Sequence, residues 1–349
     1  MGSEKALIAM SGGVDSSVAA YLMQHAGFDC IGGTMRLLPC QENSDAEDAR
    51  AVAQRLGMPF HVFDMERCFR RQVIDKFVRC YEQGLTPNPC VDCNRQLKFG
   101  ALLDKAEELG CSYIVTGHYC RIRQDENGRY CLCKATDPAK DQSYFLYALT
   151  QQQLKHIRFP LGEISKEEAR KIAQEQGFIN ARKRDSQDIC FVPDGDYMAF
   201  IRQYTGKDYP AGDFLNLEGK VVGRHAGAIA YTRGQRKGLH LAMGTPVYVC
   251  SKDMERNTVT VGSNDALFST TLLADDWNFF PFDFPTAPLR VMAKTRSRMA
   301  EQHATLYPGE NGTCRVVFDE PQRALTTGQA VVLYDGDTVL GGGTITEIL

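Results

Sequence analysis

No apolar run in these 349 residues approaches the length of a bilayer span, and no basic-then-apolar leader precedes the first strand-like segment. A cytoplasmic protein with no membrane partner is therefore expected. An excess of charge is missing too: 40 Lys and Arg stand against 43 Asp and Glu, a net charge of −3. Such a chain does not coat nucleic acid indiscriminately, so an RNA partner has to meet local basic patches. Internal repeats and low-complexity linkers are absent. There is one Cys-x-x-Cys pair, Cys90 and Cys93, with no second pair and no His-x-x-x-His to complete a zinc site. The thirteen cysteines of a long cytosolic chain are expected to be reduced, buried or chemically employed.

An apolar content of 43% and a charged content of 24% are those of a globular protein, and the length calls for roughly two or three domains. Strand-like and helix-like segments alternate at 7–10, 14–24, 28–34, 45–56, 60–63, 67–81, 97–109 and 113–116. That alternation predicts an α/β unit with a parallel sheet covered by helices. Ligands of such sheets bind beyond the carboxyl ends of the strands. Four places then face one crevice: the turn at Ser11, Met35, the turn near Asp64, and Gly117-His118-Tyr119. After about residue 193 short Gly-, Thr- and Val-rich segments predict two β domains.

The first turn reads Ser11-Gly12-Gly13-Val14-Asp15-Ser16-Ser17 between an apolar strand and a helix. Its glycines permit a sharp turn with exposed N–H groups, and the helix start adds a positive dipole end. It carries no lysine and is not a Walker A loop, so the anion it holds reads as a pyrophosphate, with Asp15 a candidate Mg²⁺ ligand. The structural alternative is a serine-capped strand-to-helix turn. Met35 could pack on an adenine or simply fill core, and Gly117 could admit a nucleotide close to the backbone.

Thr86-Pro87-Asn88-Pro89-Cys90-Val91-Asp92-Cys93-Asn94 forms a stiff loop whose cysteines open the next helix. The helix dipole is expected to lower the pKa of Cys93, making it a reactive-thiol candidate. Half a metal site, completed by Cys131-x-Cys133 or Cys190, is the alternative. Residues 119–123 and 130–134 predict a hairpin, and Asp141 could cap a helix after Lys140. Cys190 follows the polar loop 185–188, and taken alone reads as a buried apolar residue. Gly223-Arg224-His225 and Tyr231-Thr232-Arg233-Gly234-Gln235-Arg236-Lys237-Gly238 make a basic, glycine-rich patch suited to RNA phosphates or a solvated hairpin. Segment 290–298 alternates apolar with basic residues, as if one strand face carried three positive charges outward. Gly328-Gln329 and Gly341-Gly342-Gly343 read as turns.

The SGGVDSS loop resembles that of the ATP pyrophosphatases. With TPNPCVDCN and LKFG, TGHY, KDQSYFLY, SQDICF, GRHAG and YTRGQRKGLH, the whole chain is similar to the tRNA-specific 2-thiouridylases. The resemblance implies an adenine-nucleotide alpha-hydrolase-like (PP-loop) domain at 1–193, a small central tRNA-contacting domain at 194–263 and a C-terminal β-barrel at 264–349. It implies ATP binding by Ala9, Met10, Ser11, Gly12, Gly13, Val14, Asp15, Ser16, Met35 and Gly117. Asn88, Pro89 and Cys90 would approach the target base, and His118, Lys140, Asp141, Gln142, Arg296, Ser297 and Gln329 would contact tRNA. Some members of that family carry an aspartate where this chain has Cys90, so a carboxylate there is not carried over.

The implied reaction adenylates the C2 oxygen of the wobble uridine and replaces it with sulfur. Cys190 is expected to carry the persulfide, with Cys93 as the nucleophile that frees the sulfide or forms a disulfide with Cys190. ATP and Mg²⁺ are the expected cofactors, and tRNA for Glu, Gln and Lys plus a cysteine desulfurase or sulfur carrier the expected partners. A 4Fe-4S cluster on Cys90, Cys93 and Cys190 is the competing sulfur source. Competing functions are an amidating or ligating ATP pyrophosphatase, which needs neither cysteine, and a non-enzymatic tRNA-binding protein that holds ATP.

Overall fold

The computed structural model describes residues 3–38, 44–183 and 189–349. The expected polar loop at 185–188 thus lies outside the described residues. In chain order the strands of the first sheet are β1 (Lys5–Ala9), β2 (Asp29–Arg36), β3 (Phe60–Asp64) and β4 (Tyr113–Val115). The hairpin β5 (Arg121–Gln124) and β6 (Tyr130–Cys133) follows, and then β7 (Ile157–Arg158). Strands β1, β2, β3, β4 and β7 form a parallel sheet in the order β3-β2-β1-β4-β7. The order reverses between β1 and β4, which opens a crevice beyond their carboxyl ends. Alternation along β1 sends Leu7 into one apolar cluster and Ala6 and Ile8 into another, so the strand is buried on both faces.

Helices α1 (Val14–His25) and α2 (Ser44–Arg55) cover the sheet, followed by α3 (Glu66–Phe69) and α4 (Asp75–Glu82) with a π-helical turn between them. α5 (Pro89–Asp92) runs through a π-helical stretch, Cys93–Ala101, into α6 (Leu102–Glu108). Proline at the first position suits a helix start, because its missing N–H is not needed there. α7 (Gln151–Lys155) and α8 (Lys166–Glu175) both begin with capping boxes, on Thr150–Gln153 and Ser165–Glu168. α9 (Tyr197–Thr205) ends at Gly206 with φ +66°.

Strands β8 (Gly212–Leu215), β9 (Val221–His225), β10 (Tyr248–Asp253) and β11 (Thr258–Gly262) form a second sheet over Phe214, Val249, Val259 and Val261. β12 (Phe268–Phe279), β13 (Leu289–Lys294), β14 (Gln302–Pro308), β15 (Cys314–Arg323), β16 (Ala330–Asp335) and β17 (Thr338–Ile348) close into an antiparallel barrel through the β12–β17 pairing. The β5–β6 hairpin attaches to this barrel at Thr338–Cys133.

Two local expectations are corrected. Gly341-Gly342-Gly343 is not a turn but part of β17, where a side chain at Gly342 would meet the Tyr147 ring at 2.6 Å and one at Gly343 the Trp277 ring at 2.7 Å. The basic face at 290–298 does not form, because β13 stops at Lys294. Arg290 is bound to Asp319 at 2.7 and 2.8 Å, and Arg296 turns back to donate to the Ala324 carbonyl at 2.9 Å.

Candidate active site

The turn after β1 packs tightly. A side chain at Gly12, which has φ +73°, would overlap the backbone of Asp45. Ser16 Oγ accepts from Ser11 N–H at 3.2 Å and donates to the Gly13 carbonyl at 3.1 Å, and Asn180 Nδ2 donates to the Gly12 carbonyl at 2.9 Å. Gly13, the residue capping α1, offers no side-chain acceptor, so the first-turn N–H groups at 14–16 find no acceptor among the described residues. Orphan donors at a helix start form an anion site. Ala9 ends the strand beneath it, and Met10, buried, follows. Gly117 is needed for proximity: a Cβ there would lie 2.7 Å from Asp15 C and Ser16 N. Met35 is half-buried near the end of β2 and packs against the core.

The lysine missing from the turn arrives from 151 positions away. Lys166 Nζ, at the start of α8, donates to both Asp15 oxygens at 2.7 and 2.8 Å, and Tyr119 O–H donates to Asp15 Oδ1 at 2.8 Å. The side chain of Lys166 is buried beside that carboxylate. The donors suit phosphate oxygens, but Asp15 as a lone Mg²⁺ ligand does not fit, since its charge is already matched by an ammonium.

The cysteines sit further along the same crevice. Cys93 is half-buried in the first turns of the 89–108 helical rod, while Cys90 and Cys190 are exposed. Cys190 is held by its neighbour: Phe191 is buried between Phe69, Phe77 and Phe200, with ring centroids 5.7, 5.1 and 5.2 Å away. Its thiol is pushed up to about 11, first by desolvation and then by Cys93 and Cys90, with Lys98 opposing. Cys93 is also raised, by desolvation foremost. The expected lowered thiol is therefore corrected: desolvation raises Cys93, with Lys98 opposing. Lys98 is the cation that lowers Cys90, Cys93 and Cys190 alike. It also helps burial hold His118 neutral, well below the ordinary imidazole range. His118 Nδ1 pairs with Thr116 Oγ1 at 2.6 Å and packs on Phe99 and Phe159. This residue joins the two halves of the site, following Gly117 against the anion turn and facing Lys98.

Among the described residues no group of three His, Cys, Asp or Glu is spaced to hold a metal ion. Cys131 and Cys133 are buried in β6, where the Cys133 sulfur accepts from Arg123 Nε at 3.2 Å. The described cysteines thus do not form a site for a single metal ion. Asp92 is spent on Lys76 at 2.7 Å.

Asn88 is extended ahead of buried Pro89, and its carbonyl accepts from Val91 N–H at 3.1 Å. The barrel grips this loop. Thr86 N–H donates to the Thr327 carbonyl at 2.9 Å, Gln329 Nε2 donates to the Thr86 carbonyl at 2.8 Å, and Gly328 leaves no room for a side chain over Thr86. Gly328-Gln329 is thus a clamp as well as a turn. Asp141 does not cap a helix; it takes Ser143 Oγ–H at 2.7 Å ahead of a short 3₁₀ turn, Ser143–Phe145. Gln142 Oε1 accepts from Tyr119 N–H at 2.9 Å, Lys140 N–H closes a turn on Asp137 at 3.1 Å, and Ser297 follows Arg296 beyond β13. The cations Lys98 and Lys166 were missed by sequence reasoning, although LKFG and the capped start of α8 were visible signals.

A parallel sheet with an anion turn at its switch point, a thiol group along the same crevice and two attached β units define the ATP-pyrophosphatase class. Residues 4–194 match the family described as tRNA methyl transferase HUP domain, 198–263 its PRC-barrel domain, and 269–345 the aminomethyltransferase beta-barrel domain. The tRNA-specific 2-thiouridylase MnmA of Clostridium acetobutylicum is 48% identical over 98% of this chain and 99% of that protein. The protein of the same name from Acetivibrio thermocellus is 47% identical over 99% and 100%. The chain belongs to the tRNA-specific 2-thiouridylase family. A 4-thiouridine synthetase solved with RNA and ATP is a distant likeness, 18% identical with a TM-score of 0.36 over 54% of this chain and 45% of that one. No helix among the described residues is long and apolar enough to cross a membrane.

Proposed function

We propose that the chain performs ATP-dependent 2-thiolation of the wobble uridine of tRNA in the cytoplasm. The observation that carries the reading is the proximity of Cys190 to Cys93 and Cys90, with Lys98 acting on all three. The uridine C2 oxygen attacks the α-phosphorus of ATP, and pyrophosphate leaves toward the first turn of α1 and Lys166. Residues 9–16, Met35 and Gly117 bind the nucleotide, and Mg²⁺ is assigned to its phosphates. The outer sulfur of a Cys190 persulfide then attacks C2, and AMP departs with the former oxygen. Cys93 attacks the Cys190 sulfur, either freeing hydrosulfide beforehand or leaving sulfur on C2 afterwards. Both routes end in a Cys93–Cys190 disulfide, which a thiol reductant and a fresh sulfur from a desulfurase or carrier protein reset.

Asn88, Pro89 and Cys90 take the base; His118, Lys140, Asp141, Gln142, Arg296, Ser297 and Gln329 take the tRNA, with Glu, Gln and Lys isoacceptors as substrates. The proposed division is 1–193 for catalysis, 194–263 for the central domain and 264–349 for the barrel. The test is incubation with ATP, Mg²⁺, cysteine, a cysteine desulfurase, a thiol reductant and unmodified tRNA, scoring 2-thiouridine by nucleoside mass spectrometry. Wild type should thiolate, while Cys93→Ser and Cys190→Ser should each lose at least about a hundredfold. Full turnover by the double variant would reject the reading and favour a ligase.

A further inference from the structure

A cavity of about 280 Å³ lies where the helical unit, the four-stranded sheet and the barrel meet. It is lined by Thr86, by Arg233, Ser251 and Lys252, and by Thr326 and Thr327. The Lys252 ammonium and one nitrogen of the Arg233 guanidinium are orphans: Lys252 Nζ and Arg233 Nε are buried and hydrogen-bond to nothing among the described residues. Burial alone drives Lys252 down to about 8 and lowers Arg233 as well. Glu347 borders the cavity but is exposed and pairs with neither.

A buried unpaired cation is costly, and an apolar side chain of the same size would be cheaper. Two cations among hydroxyl-bearing residues describe a site for an oxyanion rather than for an apolar or cationic ligand. At about 30 Å³ per water, the volume holds a phosphate group with several waters. Its position is informative. Thr86 leads directly to Asn88 and Cys90, and Thr326 accepts from Arg296 Nη2 at 3.4 Å. No hydrogen bond restrains the Lys252 ammonium, so rotation of its stem can present it to an incoming anion.

We propose that Lys252 and Arg233 form an oxyanion site that takes a backbone phosphodiester of the RNA whose base enters at 88–90. This rests on the proposed tRNA thiolation. Free inorganic phosphate is the other source of the same chemistry.

The test measures binding of unmodified tRNA to the full chain from about 50 to 200 mM salt. Wild type, Lys252→Met, Lys252→Arg and Arg233→Met are compared, together with titration of inorganic phosphate in the absence of RNA. Lys252→Met and Arg233→Met should each weaken tRNA binding about tenfold, and Lys252→Met should reduce the log–log salt slope by about one. Lys252→Arg should retain the slope. The melting temperature of Lys252→Met should hold or rise, since it loses an unpaired buried ammonium. An unchanged tRNA slope, with saturable phosphate binding that Lys252→Met abolishes, would overturn the RNA source and assign the site to free phosphate. Unchanged tRNA binding with no saturable phosphate binding would overturn the site itself. Wild type that neither binds nor thiolates tRNA would instead sink the underlying functional reading.

Discussion

Two lysines set the chemistry at the scale of single residues. Lys98 acts on three thiols that burial pushes upward, and its positive charge opposes that rise. A thiol near 11, as at Cys190, is thiolate to only about one part in ten thousand at pH 7. Alkylation of Cys190 by iodoacetamide should therefore accelerate about tenfold per pH unit between about pH 7 and 9, and Lys98→Met should slow it at every pH. Peptide mass spectrometry reads both; a rate already level by pH 8 would contradict the raised thiol. Lys166 neutralises Asp15 from the far side of the anion turn. Lys166→Met should destabilise the fold by about 1–3 kcal/mol by stripping a charged hydrogen-bond partner from Asp15. Pyrophosphate release should fall more than tenfold even well below the melting temperature, where the loss is transition-state stabilisation rather than unfolding.

Elements matter here for where they end. The anion turn works because β1 and β4 finish side by side and Gly117 lets the second strand's exit press on the first turn of α1. Gly117→Ala should raise the KM for ATP about tenfold or more, since the new methyl must displace Asp15 backbone. A wild-type ATP KM in that variant would show that the contact relaxes at no cost. The π-helical stretch from Cys93 gives the rod an irregular turn where the thiol sits, a common placement at functional sites. The aromatic cluster on Phe191 performs the complementary task of fixing Cys190.

Across the whole molecule, the barrel acts on the loop proposed to meet the base. Gln329 and Thr327 together hold Thr86, so residues remote in sequence govern the position of 87–90. Gln329→Ala removes a hydrogen bond worth about 1 kcal/mol and should lower thiolation kcat severalfold with an unchanged ATP KM. Steady-state kinetics with saturating tRNA separates this positioning effect from weakened RNA contact, which would appear in KM alone.

The α/β class, the anion turn, the start of the Cys-x-x-Cys helix and the β character of the C-terminal half were legible in the sequence because each rests on local pattern: strand and helix periods, paired glycines, proline at a helix start. Cys93 was legible as a reactive-thiol candidate from its place at a helix start, but Cys190 was legible as chemistry only through resemblance, since a lone cysteine before Phe191 carries no local sign of function. Tertiary structure alone decided which charges serve the site. Lys166 reaches Asp15 across 151 positions, and Lys252 meets Arg233 in a shared cavity. It also decided the sign of the thiol shift, because desolvation depends on what packs around Cys93, whereas the helix dipole is visible in its neighbours. Local interactions are written in consecutive residues; burial and long-range charge pairing exist only once the chain has closed on itself.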